Sequence, residues 1–218
     1  MTLSHLEPCR IKICGITNVA DGLAAAAAGA DALGFVFAPE SKRRLSLDAA
    51  ESVARQMPPD VMRVGVFVDA SEDEVFAAIQ RCGLTMAQFH GAETPEFCGQ
   101  FGVMTMKAFR IENAASLDPI PDYPVDAILL DSHTPGQRGG TGATFNWELA
   151  VAAKKFGKPI FLAGGLTCDN VADAIRLVRP FGVDVSSGVE ISAGKKDAEK
   201  IRRFIAAVRT TENGKFSA

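Results

Sequence analysis

Short runs that are apolar at nearly every position alternate along this chain with stretches whose apolar residues recur at helical spacing. The runs predict strands at Ile11 to Cys14, Ala32 to Phe37, Arg63 to Val68, Ala87 to His90, Val103 to Ala108, Ala127 to Asp131, Pro159 to Ala163 and Val183 to Ser186. A strand buried on one face alternates apolar and polar residues, whereas one buried on both faces does not. Most runs here are of the second kind, as in a parallel sheet covered by helices. Helical spacing predicts helices at about Val19 to Gly29, Leu47 to Gln56, Glu72 to Cys82, Pro95 to Phe101, Ile111 to Leu117, Trp147 to Phe156, Cys168 to Val178 and Lys195 to Arg209. Start signals recur at Ser46 with Asp48, Ser71 with Glu72 and Glu74, Thr94 with Pro95 and Glu96, and Thr167 with Asp169. Such side-chain oxygens accept from N–H groups that a first turn leaves free.

Strand-helix units in this number close a (β/α)8 TIM barrel. A doubly wound open sheet is the alternative, but with a dinucleotide it would carry Gly-x-Gly-x-x-Gly after its first strand. Cys14-Gly15-Ile16-Thr17 stands in that place. No low-complexity linker divides the chain, so the expected organisation is one barrel domain over 11–210. An N-terminal extension occupies 1–10 and a C-terminal tail 211–218, and the Lys-rich stretch from Gly194 to Lys200 reads as a helix start.

Composition narrows the function classes. The 218 residues are 47% hydrophobic and 22% charged, with a net charge of -3. That balance suits a globular protein with a large core and disfavours a nucleic-acid partner, which would call for a basic face or tail. Five cysteines with no Cys-x-x-Cys pair suggest neither a disulfide framework nor a zinc site, and point to a reducing cytoplasm. The first ten residues have no apolar signal core, and the alanine-rich run Leu23 to Ala28 is too short to span a bilayer, so no membrane role is expected.

In a barrel, chemistry collects where strands end. Polar and glycine residues gather at those points: Cys14, Ser41-Lys42-Arg43-Arg44, Gln88 and His90, Asp131, Gly164-Gly165, and Ser186-Ser187-Gly188. Taken alone, Cys14 is a small buried hydrophobe, Asp131 a loop carboxylate, the basic run a solvated loop and His90 a packed histidine. His5 and His133 have no motif around them. The last two loops have few bulky side chains at their turns, so their N–H groups can close on an anion, and barrels commonly hold a phosphate there. Gly136 to Gly142 reads as a loop able to close over a ligand.

These motifs resemble phosphoribosylanthranilate isomerase of tryptophan biosynthesis. The resemblance is carried by Lys12-Ile13-Cys14-Gly15-Ile16-Thr17, Gly34-Phe35-Val36-Phe37 with Ser41-Lys42-Arg43, and Val64-Gly65-Val66-Phe67-Val68. It continues in Gln88-Phe89-His90-Gly91, Leu129-Leu130-Asp131-Ser132, Gly139-Gly140-Thr141-Gly142 with Phe145 and Trp147, Ala163-Gly164-Gly165-Leu166, and Asp184 through Glu190. Phe89, where Leu is expected, is a mild departure. What the resemblance implies is an Amadori rearrangement of N-(5-phosphoribosyl)anthranilate to 1-(2-carboxyphenylamino)-1-deoxyribulose 5-phosphate. Asp131 would be the acid at the ring oxygen and Cys14 the base at C2 of the sugar. Neither metal nor organic cofactor is implied.

Substrate-binding candidates are Arg43 for the anthranilate carboxylate, His90, Gly164, Gly165, Asp184, Ser186, Ser187 and Gly188, with Arg44 a neighbouring decoy. A thiol is partly ionised near neutrality, and electropositive surroundings increase that fraction. A carboxyl is a poor acid there unless burial or a nearby anion holds its proton; Asp131 follows the apolar run Ala127 to Leu130. Other readings remain: a metal-dependent phosphosugar epimerase using His90 and Asp131, an aldolase with Lys107 as Schiff-base lysine, or a non-catalytic phosphate-ligand sensor. The expected partner is a small phosphorylated substrate, and the chain is expected as a monomer or homodimer.

Overall fold

The computed structural model describes residues 8–132 and 147–213. His5 and most of the N-terminal extension, His133, the Gly136 to Gly142 loop, Phe145 and the end of the tail lie outside the described residues. Eight parallel strands close into a barrel in sequence order: β1 Arg10–Cys14, β2 Ala32–Val36, β3 Met62–Phe67, β4 Met86–Phe89, β5 Met104–Ile111, β6 Ala127–Ser132, β7 Ile160–Leu162 and β8 Gly182–Val185. The sheet is closed because β1 pairs with both β2 and β8. Around it lie α1 Val19–Ala27, α2 Leu47–Ala54, α3 Glu72–Cys82, α4 Pro95–Cys98, α5 Trp147–Ala153, α6 Val171–Val178 and α7 Ala198–Asn213, the last running past residue 210.

Alternation along each strand divides the apolar residues into two cores. Outward residues such as Ile11, Ile13, Leu33, Phe35, Ile128 and Leu130 pack under the helices. Inward residues fill the barrel: Ala32, Val64, Met86, Met106, Ala108, Ala127, Leu129, Phe161 and Ala163, with Cys14, Val36 and Val66 above them. Near-continuous burial of the strands follows from this double coverage.

Helix starts follow the cap chemistry at most places. Ser46 accepts from Ala49 N–H, Ser71 and Glu74 form a reciprocal capping box, and Thr94 accepts from Phe97 N–H ahead of Pro95. Three segments differ from expectation. The helix expected at Ile111 to Leu117 is instead the end of β5 followed by a 3-10 turn at Ala114–Leu117. There the Asn113 side chain accepts from Ala115 N–H, Ser116 Oγ accepts from Glu112 and Asn113 N–H, and Pro119 follows before a longer helix can form.

The helix expected from Cys168 begins at Val171, because Thr167 and Asn170 close a turn of their own. The helix expected from Lys195 begins at Ala198. Lys195–Lys196 (β10) first pairs antiparallel with Glu190–Ser192 (β9) across Gly194, whose φ of 81° suits the turn. Asp197 then accepts from Glu199 and Lys200 N–H and starts α7.

Candidate active site

Cys14 ends β1 and points into the barrel mouth, 9% exposed. Gly34 is its partner on β2, and a Cβ there would lie 2.8 Å from the sulfur and 3.1 Å from Cys14 Cα. The glycine therefore makes the space that the thiol occupies. Gly15 turns the chain away at a φ of 75°, and Gly15 and Ile16 N–H both donate to the Gly34 carbonyl.

One pleat deeper, Lys12 is fully buried and donates from Nζ to Asp184 Oδ1 at 2.9 Å. Asp184, named from the sequence as a ligand contact, thus has its partner inside the wall. Burial opposes the Lys12 charge, but Asp184 and Cys14 together outweigh it and raise its pKa. Burial likewise raises the Cys14 pKa, against the lowering pull of Lys12 and the smaller pull of Lys196. Electropositive neighbours are present as expected, yet desolvation outweighs them.

Arg43 crosses above Gly15, where a Cβ would meet its Cδ at 2.5 Å. Its guanidinium forms a fork with Glu190, at 2.7 Å from Nε and 2.6 Å from Nη2. Glu190 also accepts from Lys196 Nζ at 2.8 Å, and Lys196 in turn donates to the Ser186 carbonyl at 3.1 Å. Burial opposes the Glu190 charge, but the hydrogen bonds from Arg43 and Lys196 hold its pKa below the ordinary carboxyl value. Arg44, one residue on, bridges to β2 at Val36 and lines a separate cavity of about 200 Å³ with Phe37, Phe67 and Glu74.

Across the mouth, Asp131 continues the inward face of Ala127 and Leu129. Its Oδ2 lies 3.3 Å from His90 Nε2, and His90 Nδ1 lies 3.3 Å from Gln88 Nε2. One tautomer satisfies both contacts: Gln88 donates to Nδ1, and Nε2–H donates to Asp131. Gln88 is buried, and its Oε1 has no hydrogen-bond partner among the described residues.

The loops after β7 and β8 lie against each other. Gly164 and Gly165 have φ of 79° and 65°, and a Cβ on Gly188 would meet the Leu166 carbonyl oxygen at 2.1 Å. Ser186 precedes a 3-10 turn at Ser187–Val189, with its Oγ near Gly15 and Lys196. The structure therefore gathers Cys14, Arg43 and Ser186 on one side of the mouth and His90 with Asp131 on the other.

Lys107 is not among them. Its neighbours Met106 and Ala108 face the barrel interior, whereas Lys107 faces outward and donates to Glu93 at 2.9 Å and the Gly91 carbonyl at 2.6 Å. Lys12, Glu190 and Lys196 were not singled out from the sequence. For Lys12 there was a signal: a lysine two residues before Cys14 in an otherwise apolar strand shares its face and needs a buried acid. Lys196 gave none, since the ribbon that inserts it depends on contacts distant in sequence.

Residues 11–207 match the family model described as N-(5'phosphoribosyl)anthranilate (PRA) isomerase. A relative from Geobacter sp. (strain M21), an N-(5'-phosphoribosyl)anthranilate isomerase, is 52% identical over 92% of this chain and 98% of its own. The crystal structure of phosphoribosyl anthranilate isomerase from Thermotoga maritima superposes with a TM-score of 0.88 at 40% identity, covering 93% of this chain and 99% of that one. A phosphoribosyl anthranilate isomerase solved with reduced 1-(o-carboxyphenylamino)-1-deoxyribulose 5-phosphate superposes with a TM-score of 0.84 at 38% identity, over 93% and 99% of the two chains.

Proposed function

The chain belongs to the phosphoribosylanthranilate isomerase family, and from that premise we propose that Cys14 is the base and Asp131 the acid of its reaction. The reaction is the isomerisation of N-(5'-phosphoribosyl)anthranilate in tryptophan biosynthesis. The observation that carries the assignment is the placement of one thiol and one carboxyl, both facing inward, at the C-terminal ends of β1 and β6 around a single mouth. Asp131 delivers a proton to the ring oxygen, and the C1–O bond breaks to leave a protonated Schiff base. The Cys14 thiolate then takes the C2 proton, and the C–H electron pair becomes the C1=C2 bond of an enolamine that tautomerises to the ketone.

His90 occupies Oδ2 of Asp131, which leaves Oδ1 to carry the proton toward substrate. The glycine and serine loops after β7 and β8 receive the phosphate through Gly164, Gly165, Ser186, Ser187 and Gly188. Arg43 takes the anthranilate carboxylate, with Glu190 holding its guanidinium over the mouth. The groups named here all lie on one chain, and the enzyme acts on its small phosphorylated substrate as a monomer or homodimer. Five cysteines with no Cys-x-x-Cys pair suit a reducing cytoplasm.

Turnover and binding of a reduced product analogue test the assignment together. Cys14→Ser is expected to keep the analogue's affinity and to lose about 10²–10⁴-fold in kcat, the usual worth of a general base. Asp131→Asn is expected to bind the analogue and fail in ring opening. Near-parental turnover in either variant removes that residue from its role.

A further inference from the structure

A lysine with no exposed surface inside a barrel is costly unless its charge is paired. Lys12 meets that need through Asp184, which the strand register sets directly opposite it. The pair lies in the wall of the barrel, with Lys12 fully buried and Asp184 9% exposed. An ammonium has three N–H donors, and Lys12 lies beside the Cys14 sulfur as well, because residues two apart on a strand share a face. No step of the rearrangement above uses this charge.

We propose that Lys12 is a positioning residue for the reaction: anchored by Asp184, its ammonium orients the Cys14 sulfur in the barrel mouth and stabilises the thiolate that removes the C2 proton. The inference rests on Cys14 being the base. In that step the thiolate becomes a thiol, the C2–H electron pair forms the C1=C2 bond and neutralises the iminium nitrogen, and Lys12 keeps its proton throughout.

The charged groups that act on the sulfur are Lys12 from β1, Asp184 from β8, Lys196 from β10 and Arg43 from the loop after β2. Strand β2 presents Gly34 and Val36, neither of them ionisable. Burial raises the Cys14 pKa most, and Lys12 is the strongest influence in the other direction. Lys196 acts less, and its ammonium is already engaged by Glu190 and the Ser186 carbonyl.

The test uses the full chain with Lys12→Met and Asp184→Asn combined, which replaces an ion pair by a neutral pair and leaves no buried charge unpaired. The rate of Cys14 alkylation by iodoacetamide is followed against pH by peptide mass mapping, beside the pH dependence of kcat/KM. The thiol midpoint is expected to rise by about one pH unit, a tenfold smaller thiolate fraction below the midpoint. The acid limb of kcat/KM should rise with it while KM changes little. Lys12→Arg, which keeps the charge, should restore most of the parental midpoint.

Loss of kcat with an unmoved thiol midpoint would assign Lys12 a merely structural role and overturn the proposal. If the doubly substituted chain does not fold, an unmoved thiol midpoint in Lys12→Gln, which keeps a donor toward Asp184 without the charge, overturns it equally. Parental turnover by Cys14→Ser would sink the base assignment instead, an outcome that the alkylation titration does not share.

Discussion

Environment gives the cysteines different chemistry. Burial pushes the thiols of Cys82 and Cys98, at the ends of α3 and α4, up to about 11, and at Cys98 the opposing pull of the buried Lys107 does not offset it. Cys14 is also raised by burial, but Lys12, Lys196 and Arg43 face it, and they can hold a thiolate that forms. The acid limb of kcat/KM should accordingly lie above the ordinary thiol value in the free enzyme, so activity should climb from neutral into alkaline pH; a limb in the carboxylate range would remove Cys14 as base. The basic loop separates in the same way. Arg43→Ala removes a charge-assisted contact and is expected to cost roughly 1.5–3 kcal/mol in substrate binding. Arg44→Ala, in its separate cavity, should leave KM within a factor of a few. Steady-state KM for the two variants checks this, and equal effects would place the carboxylate contact elsewhere in the loop.

Among the elements, the β7 and β8 loops depend on one close approach. Gly188 has no room for a Cβ because the carbonyl of Leu166 would stand 2.1 Å away, and that obstacle is backbone. Gly188→Ala must part the two loops or shift Leu166, so the phosphate cradle opens. A rise in KM of at least tenfold with a smaller change in kcat is expected, and a parental KM would show that the cradle lies elsewhere. Cap chemistry explains why α2, α3 and α4 were legible from Ser46, Ser71 and Thr94. It also explains a failure: at Asn113 and Ser116 the same side chains satisfy the backbone outside an α-helix, and spacing of apolar residues alone does not distinguish the cases.

At the scale of the whole molecule, Glu190 ties Arg43 from the loop after β2, 147 residues earlier in the chain, to the β9–β10 ribbon that Glu190 shares with Lys196. Its carboxyl sits below the ordinary value in the folded state, through bonds from Arg43 and Lys196 that exceed the opposing effect of burial. A depressed carboxyl stabilises the fold above its unfolded value and loses that contribution as pH falls through the folded value. Melting temperature should therefore decline below about pH 4.3, the unfolded glutamate value. Glu190→Gln should lower the neutral-pH melting temperature and flatten that decline. An identical acid slope in parent and variant would show that Glu190 does not contribute. Lys12 has the opposite sign: burial opposes its charge, but Asp184 and Cys14 raise its pKa, so its contribution holds below the unfolded lysine value and is lost as pH rises through the folded one.

The sequence by itself determined the barrel, because doubly buried strands and capped helices are local patterns that repeat along the chain. It also determined the residues at the strand ends, from Cys14 through Asp131 to Ser186, since strand direction alone decides which end of a barrel a loop joins. Only the tertiary structure decided what those residues face. That Arg43 rests on Glu190, that Lys107 turns outward to Glu93, and that Lys12 meets Asp184 beneath Cys14 are outcomes of closure between β1 and β8 and of pleat phase between neighbouring strands. The physical reason is range. Hydrophobic period and caps act within a few residues, whereas a buried charge is stabilised by whichever partner the closed sheet brings to it, here 172 residues away in the chain.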